Sequence, residues 1–106
     1  MAALDRRQRA LIESLLTAAF GRRLRGVLLF GSEARGEPRE DSDVDIMVVL
    51  AGPVSLGRDL RAAILALQPL QIELDRPLHP IPVAEDVFAA GEYALYREVR
   101  ARGVAP

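Results

Sequence analysis

Apolar residues recur at helical spacing through the first twenty positions, at Leu4, Leu11, Ile12, Leu15, Leu16 and Ala19, with Asp5 placed to cap the run and Gly21 to end it. The pattern predicts an amphipathic helix from Asp5 to Phe20 packed on a sheet. The period then shortens. Val27-Leu28-Leu29-Phe30 is an apolar run too short for a helix and reads as a buried strand, and Val44 to Leu50 is a second, rich in β-branched residues and interrupted only by Asp45. Ala51-Gly52-Pro53 ends that strand. Pro53 or Ser55 then starts a helix over Leu56 to Leu67, whose buried side is marked by Leu56, Leu60, Ala63, Ile64 and Leu67, and Gln68-Pro69 stops it. From Leu70 to Val83 the chain reads as a third strand region, an edge or bulged one because Pro77, Pro80 and Pro82 cannot donate to a central ladder. Ala84-Glu85-Asp86 opens a last helical region in two pieces around Gly91, with Val87, Phe88, Tyr93, Leu95, Tyr96 and Val99 as its core, and Arg102 to Pro106 adds a short final strand. These elements predict an α/β (α+β) chain, a small mixed sheet of three to four strands flanked by helices, forming one domain over residues 1–106.

The chemistry gathers between the first two strands. Asp43 and Asp45 are two apart, so on a strand they share a face, about 6.5 Å apart along the chain. That suits a divalent cation, and Mg2+ takes one or two carboxylates and completes its shell with water and phosphate. Gly31 lets the backbone come close, the amides of Ser32 to Ala34 can meet an anion, Ser32 can cap the turn or donate to a phosphate, Arg35 can add a charge-assisted contact, and Gly36 turns the chain. Antiparallel pairing of the two strands would bring Ser32 near Asp43 and Asp45. The plainer alternative is an ordinary turn and an ordinary strand start, but a carboxylate inside Val44-Asp45-Ile46-Met47 is costly unless paired, hydrogen-bonded or metal-bound. Arg35 and Arg39 are balanced between solvated surface and phosphate contact, and Glu33, Glu37 and Glu40 read as solvated.

Gly31-Ser32-x-x-Arg35-Gly36 followed by Ser42-Asp43-x-Asp45 at the head of an apolar strand resembles the minimal nucleotidyltransferases of the DNA polymerase beta superfamily. The resemblance is sharp over residues 26–50 and looser elsewhere. It implies the polymerase beta-like nucleotidyltransferase fold, a nucleoside triphosphate (ATP first) as substrate, Mg2+ on Asp43 and Asp45, and Gly31, Ser32 and Arg35 at the nucleotide. It also implies two roles: transfer of a nucleoside monophosphate to an acceptor hydroxyl, or a binding module such as the antitoxin half of a pair with a HEPN-type helical toxin. A HEPN-type partner or a homo-oligomer is the expected assembly, because so small a domain has little room for an acceptor-binding half.

Active members of that superfamily carry a third carboxylate on the next strand. If Ile72-Glu73-Leu74-Asp75 is that strand, Asp75 or Glu73 completes the catalytic triad, and Asp75 is the candidate carried forward with Asp43 and Asp45. If the strand is Leu78 to Val83, His79 stands there instead, a register favoured by the helix start at Ala84-Glu85-Asp86.

Composition narrows the rest. The 106 residues carry a net charge of −1, which does not indicate a protein built to coat nucleic acid; Arg6, Arg7, Arg9, Arg22, Arg23 and Arg25 could form a local basic face, but read first as a solvated one. All 14 basic residues are arginine, so no lysine nucleophile or phosphate ligand exists. There is no cysteine, which excludes disulfides and thiol chemistry, and one histidine, which excludes a multi-histidine metal site within one chain. No apolar run suits a signal peptide or a membrane span, so a cytoplasmic location is the default expectation.

Overall fold

The computed structural model describes residues 3–36 and 42–106. Helix α1 (Arg6–Phe20) starts on a reciprocal capping box: Asp5 accepts from the Gln8 backbone N–H at 2.7 Å, and the Gln8 side chain accepts from the Asp5 N–H at 2.9 Å. A single 3₁₀ turn leads into β1 (Leu24–Phe30), then α2 (Ser32–Arg35), β2 (Val44–Leu50), α3 (Leu56–Ala66), α4 (Gln68–Glu73), β3 (Leu78–Ala84), α5 (Glu85–Ala90) and α6 (Ala94–Arg102). The sheet order is β1-β2-β3, antiparallel on one side of β2 and parallel on the other. In place of a final strand, the tail makes one bridge to the sheet edge, Val104 exchanging backbone hydrogen bonds of 2.7 and 2.9 Å with Leu29.

Alternation along the strands divides the core. Val27, Leu29, Val44, Ile46, Val48 and Leu50 face the helices α1, α3 and α4 and pack with Ile12, Leu16, Ala63, Leu67 and Leu70. Met47, Val49, Leu28 and Phe30 face the other way, onto Phe88, Tyr96 and Val99 of α5 and α6. With both faces covered, β2 is apolar almost throughout, and Asp45 is its one residue that is not fully buried. Asp45 shares its face with Met47 and Val49, the face over which only two short helices lie.

Two expectations change. Leu70 to Glu73 is helical, because Pro69 occupies the first turn of α4, where its missing N–H costs nothing, instead of terminating structure. The third strand is therefore Leu78–Ala84, an edge strand but with unbroken pairing along its length. Val44 N–H donates to Pro77 O at 2.8 Å, so by parallel alternation the nitrogens of Pro80 and Pro82 point to the open edge, where no ladder donor is lost. The Leu78 N–H on that edge is taken by Gln71 Oε1 at 2.7 Å, so Leu78 to Pro82 present no free N–H to a foreign strand on that side.

Second, several residues read as core lie outside. Leu56 is 64% exposed, and Ile64 is also exposed; together with Leu60 they form an open groove of about 320 Å³ against Leu78, Pro80 and Pro82. Val87, Tyr93 and Leu95 are exposed too, because α5 and α6 each turn only a narrow stripe inward.

Candidate functional site

The antiparallel register pairs Phe30 with Asp45, so the turn that follows β1 lies directly over the head of β2. Gly31 has φ 69°, and a methyl group built on it would lie 2.6 Å from Asp45 Oδ2. Only glycine allows the turn both that backbone conformation and that approach. Ser32 opens α2, and its Oγ is 3.3 Å from Ser42 Oγ, one residue before Asp43. Arg35 is exposed at the far end of α2, close enough for its charge to favour the ionised form of Asp45. Gly31, Ser32, Arg35, Asp43 and Asp45 are thus brought together at one end of the sheet, Asp43 exposed and the Asp45 side chain 28% exposed.

Across the parallel pair, Asp45 is in register with His79, and His79 Nδ1 lies 3.4 Å from Asp45 Oδ1. Asp75 is elsewhere. It is exposed in the bend ahead of β3, and Glu73 ends α4 in an ion pair with Arg7. The expectation that Asp75 stands on a strand face beside Asp43 and Asp45 is therefore corrected: α4 uses up the residues that would have formed that strand, and the sheet position holds an imidazole. Among the described residues no three His, Asp or Glu side chains cluster to hold a metal. Two hard carboxylates facing solvent, with a glycine backbone against one of them, remain a donor set that suits a cation finishing its shell with water and phosphate oxygens.

Burial pushes the Asp45 carboxyl above its ordinary range, an effect that the contact with His79 opposes and the Asp43 charge adds to. Desolvation and the neighbouring Asp43 charge thus place a penalty on the ionised form of Asp45. A bound cation would relieve it.

The signal missed in the sequence is Glu33. Read as solvated, it is 5% exposed and forms ion pairs with Arg76 and, at 3.5 Å, with Arg9. Arg23 is likewise spent, on a two-pronged contact with buried Asp59 at 2.9 and 3.0 Å. Arg7, Arg9 and Arg23, three of the six arginines of the basic face suggested around α1, are thus each paired to an acid. Glu37, Arg39, Glu40 and Asp41 lie outside the described residues.

The nucleotidyltransferase domain family has a sequence model that matches residues 15–93, a span holding the turn, both aspartates and His79. The chain belongs to that family. The nucleotidyltransferase domain also superposes on a solved structure described as a toxin-antitoxin with AMP-PNP, at TM-score 0.64 and 23% identity, over 91% of this chain and 69% of that one. No curated protein matches it. The likeness bears on fold: a small mixed sheet flanked by helices. Among the described residues no helix of this domain is long and apolar enough to cross a membrane.

Proposed function

We propose that this nucleotidyltransferase domain binds a nucleoside triphosphate, ATP first, together with Mg2+, and transfers the nucleoside monophosphate to a hydroxyl presented by a second protein. The observation that carries the reading is the apposition of Gly31 and Asp45 at one end of the sheet. Ser32 and the turn amides would meet the phosphates, and Arg35 would add positive charge. Asp43 and Asp45 would hold the cation, which when bound neutralises charge on the phosphates and the pyrophosphate that leaves. In the transfer an acceptor oxygen would bond to the α-phosphorus as the bond to the bridging oxygen breaks, pyrophosphate would depart, and the hydroxyl's proton would pass to water at the open end of the sheet. Catalysis is then mainly positioning and charge compensation.

A second reading has its own support. His79 occupies the sheet position opposite Asp45, and the groove of Leu56, Leu60 and Ile64 opens immediately beside it. With no third carboxylate among the described residues to receive the acceptor's proton, transfer would be slow, and the apolar groove suits contact with a helical partner of the HEPN type. In that role the domain would act as the antitoxin half of a pair, a nucleotide-binding module first and an enzyme second.

Calorimetric titration with ATP, with and without Mg2+, tests the shared premise. The wild type is expected to bind with Mg2+ and the Asp43→Asn, Asp45→Asn double variant to lose the metal-dependent part, at least about tenfold in affinity. Absence of binding by folded wild type removes the nucleotide reading altogether.

A further inference from the structure

The guanidinium of Arg76 ties together the three segments from which the site is built. Arg76 sits in the bend before β3 and is 4% exposed. Its Nε donates to Ser42 O at 2.9 Å, one terminal nitrogen donates to Ser42 Oγ at 3.3 Å and to Asp43 O at 3.4 Å, and the other forms a buried ion pair with Glu33 of α2. Ser42 Oγ in turn meets Ser32 Oγ, and Arg9 holds the second oxygen of Glu33. One residue on, Pro77 O accepts from Val44 N–H at 2.8 Å. The phosphate-side helix, the head of the aspartate strand and the start of the His79 strand therefore share one planar cation.

We propose that Arg76, acting through Glu33, is the positioning residue that sets the spacing between the Gly31–Ser32 turn and the Asp43/Asp45 strand. This rests on the nucleotide reading above. Neither residue needs to touch the nucleotide. An α2 that moved away from β2 would separate the groups meeting the phosphates from those meeting the cation, and simultaneous binding of both would be lost while each half stayed intact. The planar fork matters, because it reaches a carboxylate on one side and two main-chain carbonyls on the other, which a lysine's single ammonium cannot span. A merely structural ion pair would affect stability alone. The Arg23–Asp59 pair provides that comparison, since it is also buried on its acidic side but lies at the opposite end of the sheet, where Arg23 O accepts from Ala51 N–H.

The test compares Arg76→Lys, Glu33→Gln and Asp59→Asn with wild type by titration with Mg-ATP, alongside amide hydrogen exchange of Ser32–Arg35 and Ser42–Val44 without ligand. Arg76→Lys is expected to weaken Mg-ATP binding at least about tenfold and to speed exchange in both segments together. Glu33→Gln, which keeps the bonds of Arg76 to Ser42 and Asp43, is expected to loosen α2 more than the head of β2, and it carries the test if Arg76→Lys does not fold. Asp59→Asn is expected to lower the melting temperature with Mg-ATP affinity unchanged. Folded Arg76→Lys or Glu33→Gln protein that binds Mg-ATP like a wild type that itself binds, with unchanged exchange, overturns the positioning role alone. Equal losses of affinity in all three variants overturn it too, since stability would then account for them. Wild type that binds no Mg-ATP overturns the nucleotide reading, and the positioning role falls with it.

Discussion

At Gly31 two constraints meet that are separable in principle: a backbone with φ 69°, and Asp45 Oδ2 at 2.6 Å from where a Cβ would stand. The first alone makes any larger residue strained, typically by about 1–3 kcal/mol. The second gives that strain a direction, because the methyl group of Gly31→Ala must push the turn off β2 or rotate the carboxylate away. We expect Gly31→Ala to unfold at lower denaturant by an amount in that range and to lose Mg-dependent ATP binding. Gly36→Ala, also at positive φ but with nothing within 4 Å, should show the loss of stability without the full loss of binding. Chemical denaturation and titration on the same samples separate the two effects. The glycine pattern of the motif was legible as a sequence, but the carboxylate it lies against was not, because that contact depends on which β2 residue pairs with Phe30.

The helix α3 illustrates what an element demands beyond its apolar spacing. Ser55 precedes it, yet it is Asp59 that closes the first turn, accepting the Ser55 N–H at 3.0 Å while holding both prongs of Arg23. Those bonds hold the Asp59 carboxyl below its ordinary value of 3.8, the Arg23 hydrogen bond being the largest cause and burial opposing it. A carboxyl lowered in the folded state stabilises above its unfolded pKa and loses that contribution as pH falls through the folded one. Asp59→Asn should therefore cost about 2–4 kcal/mol near neutral pH, and the gap from wild type should close as the medium is acidified below the ordinary carboxylate range. Urea unfolding across that pH range measures it. Periodicity named Leu56 and Ile64 as buried and passed over Asp59, whereas the opposite holds. A helix whose inner side carries a buried salt bridge to Arg23 as well as Ala63 and Leu67 leaves Leu56 and Ile64 over the open groove, and no spacing rule contains that placement. The same limit applies to α4, where Pro69 reads equally well as a stop or as a first-turn residue until Leu70 is seen to fill the core.

Over the molecule as a whole, the parallel pairing of β2 with β3 decides which side chain faces Asp45. His79 is there, and replacing it with aspartate would set a third carboxylate beside Asp43 and an already desolvated Asp45. Like charges at that separation repel unless a cation is shared. We expect His79→Asp to melt below wild type in the absence of divalent ions and to be raised by Mg2+ more than wild type is, a crossover that thermal melts with and without metal would reveal. A variant whose melting point ignores Mg2+ would show that the three positions do not converge on one ion.

The sequence by itself determined the strand-turn-strand unit, the helix from Asp5 to Phe20, the edge placement of the proline-rich strand and the nearness of Ser32 to the aspartates. These follow from local period, capping and turn chemistry, and from the short connection between two strands that must pair. Only the tertiary structure decided that His79 and not Asp75 stands across from Asp45, that Glu33 is buried, and that Arg76 joins the pieces of the site. Glu33 and Arg76 are 43 positions apart and each looks like surface in its own neighbourhood. A buried charge is tolerable only where its partner arrives, and the arrival of a distant partner is a property of the packed sheet, not of the residues beside either one.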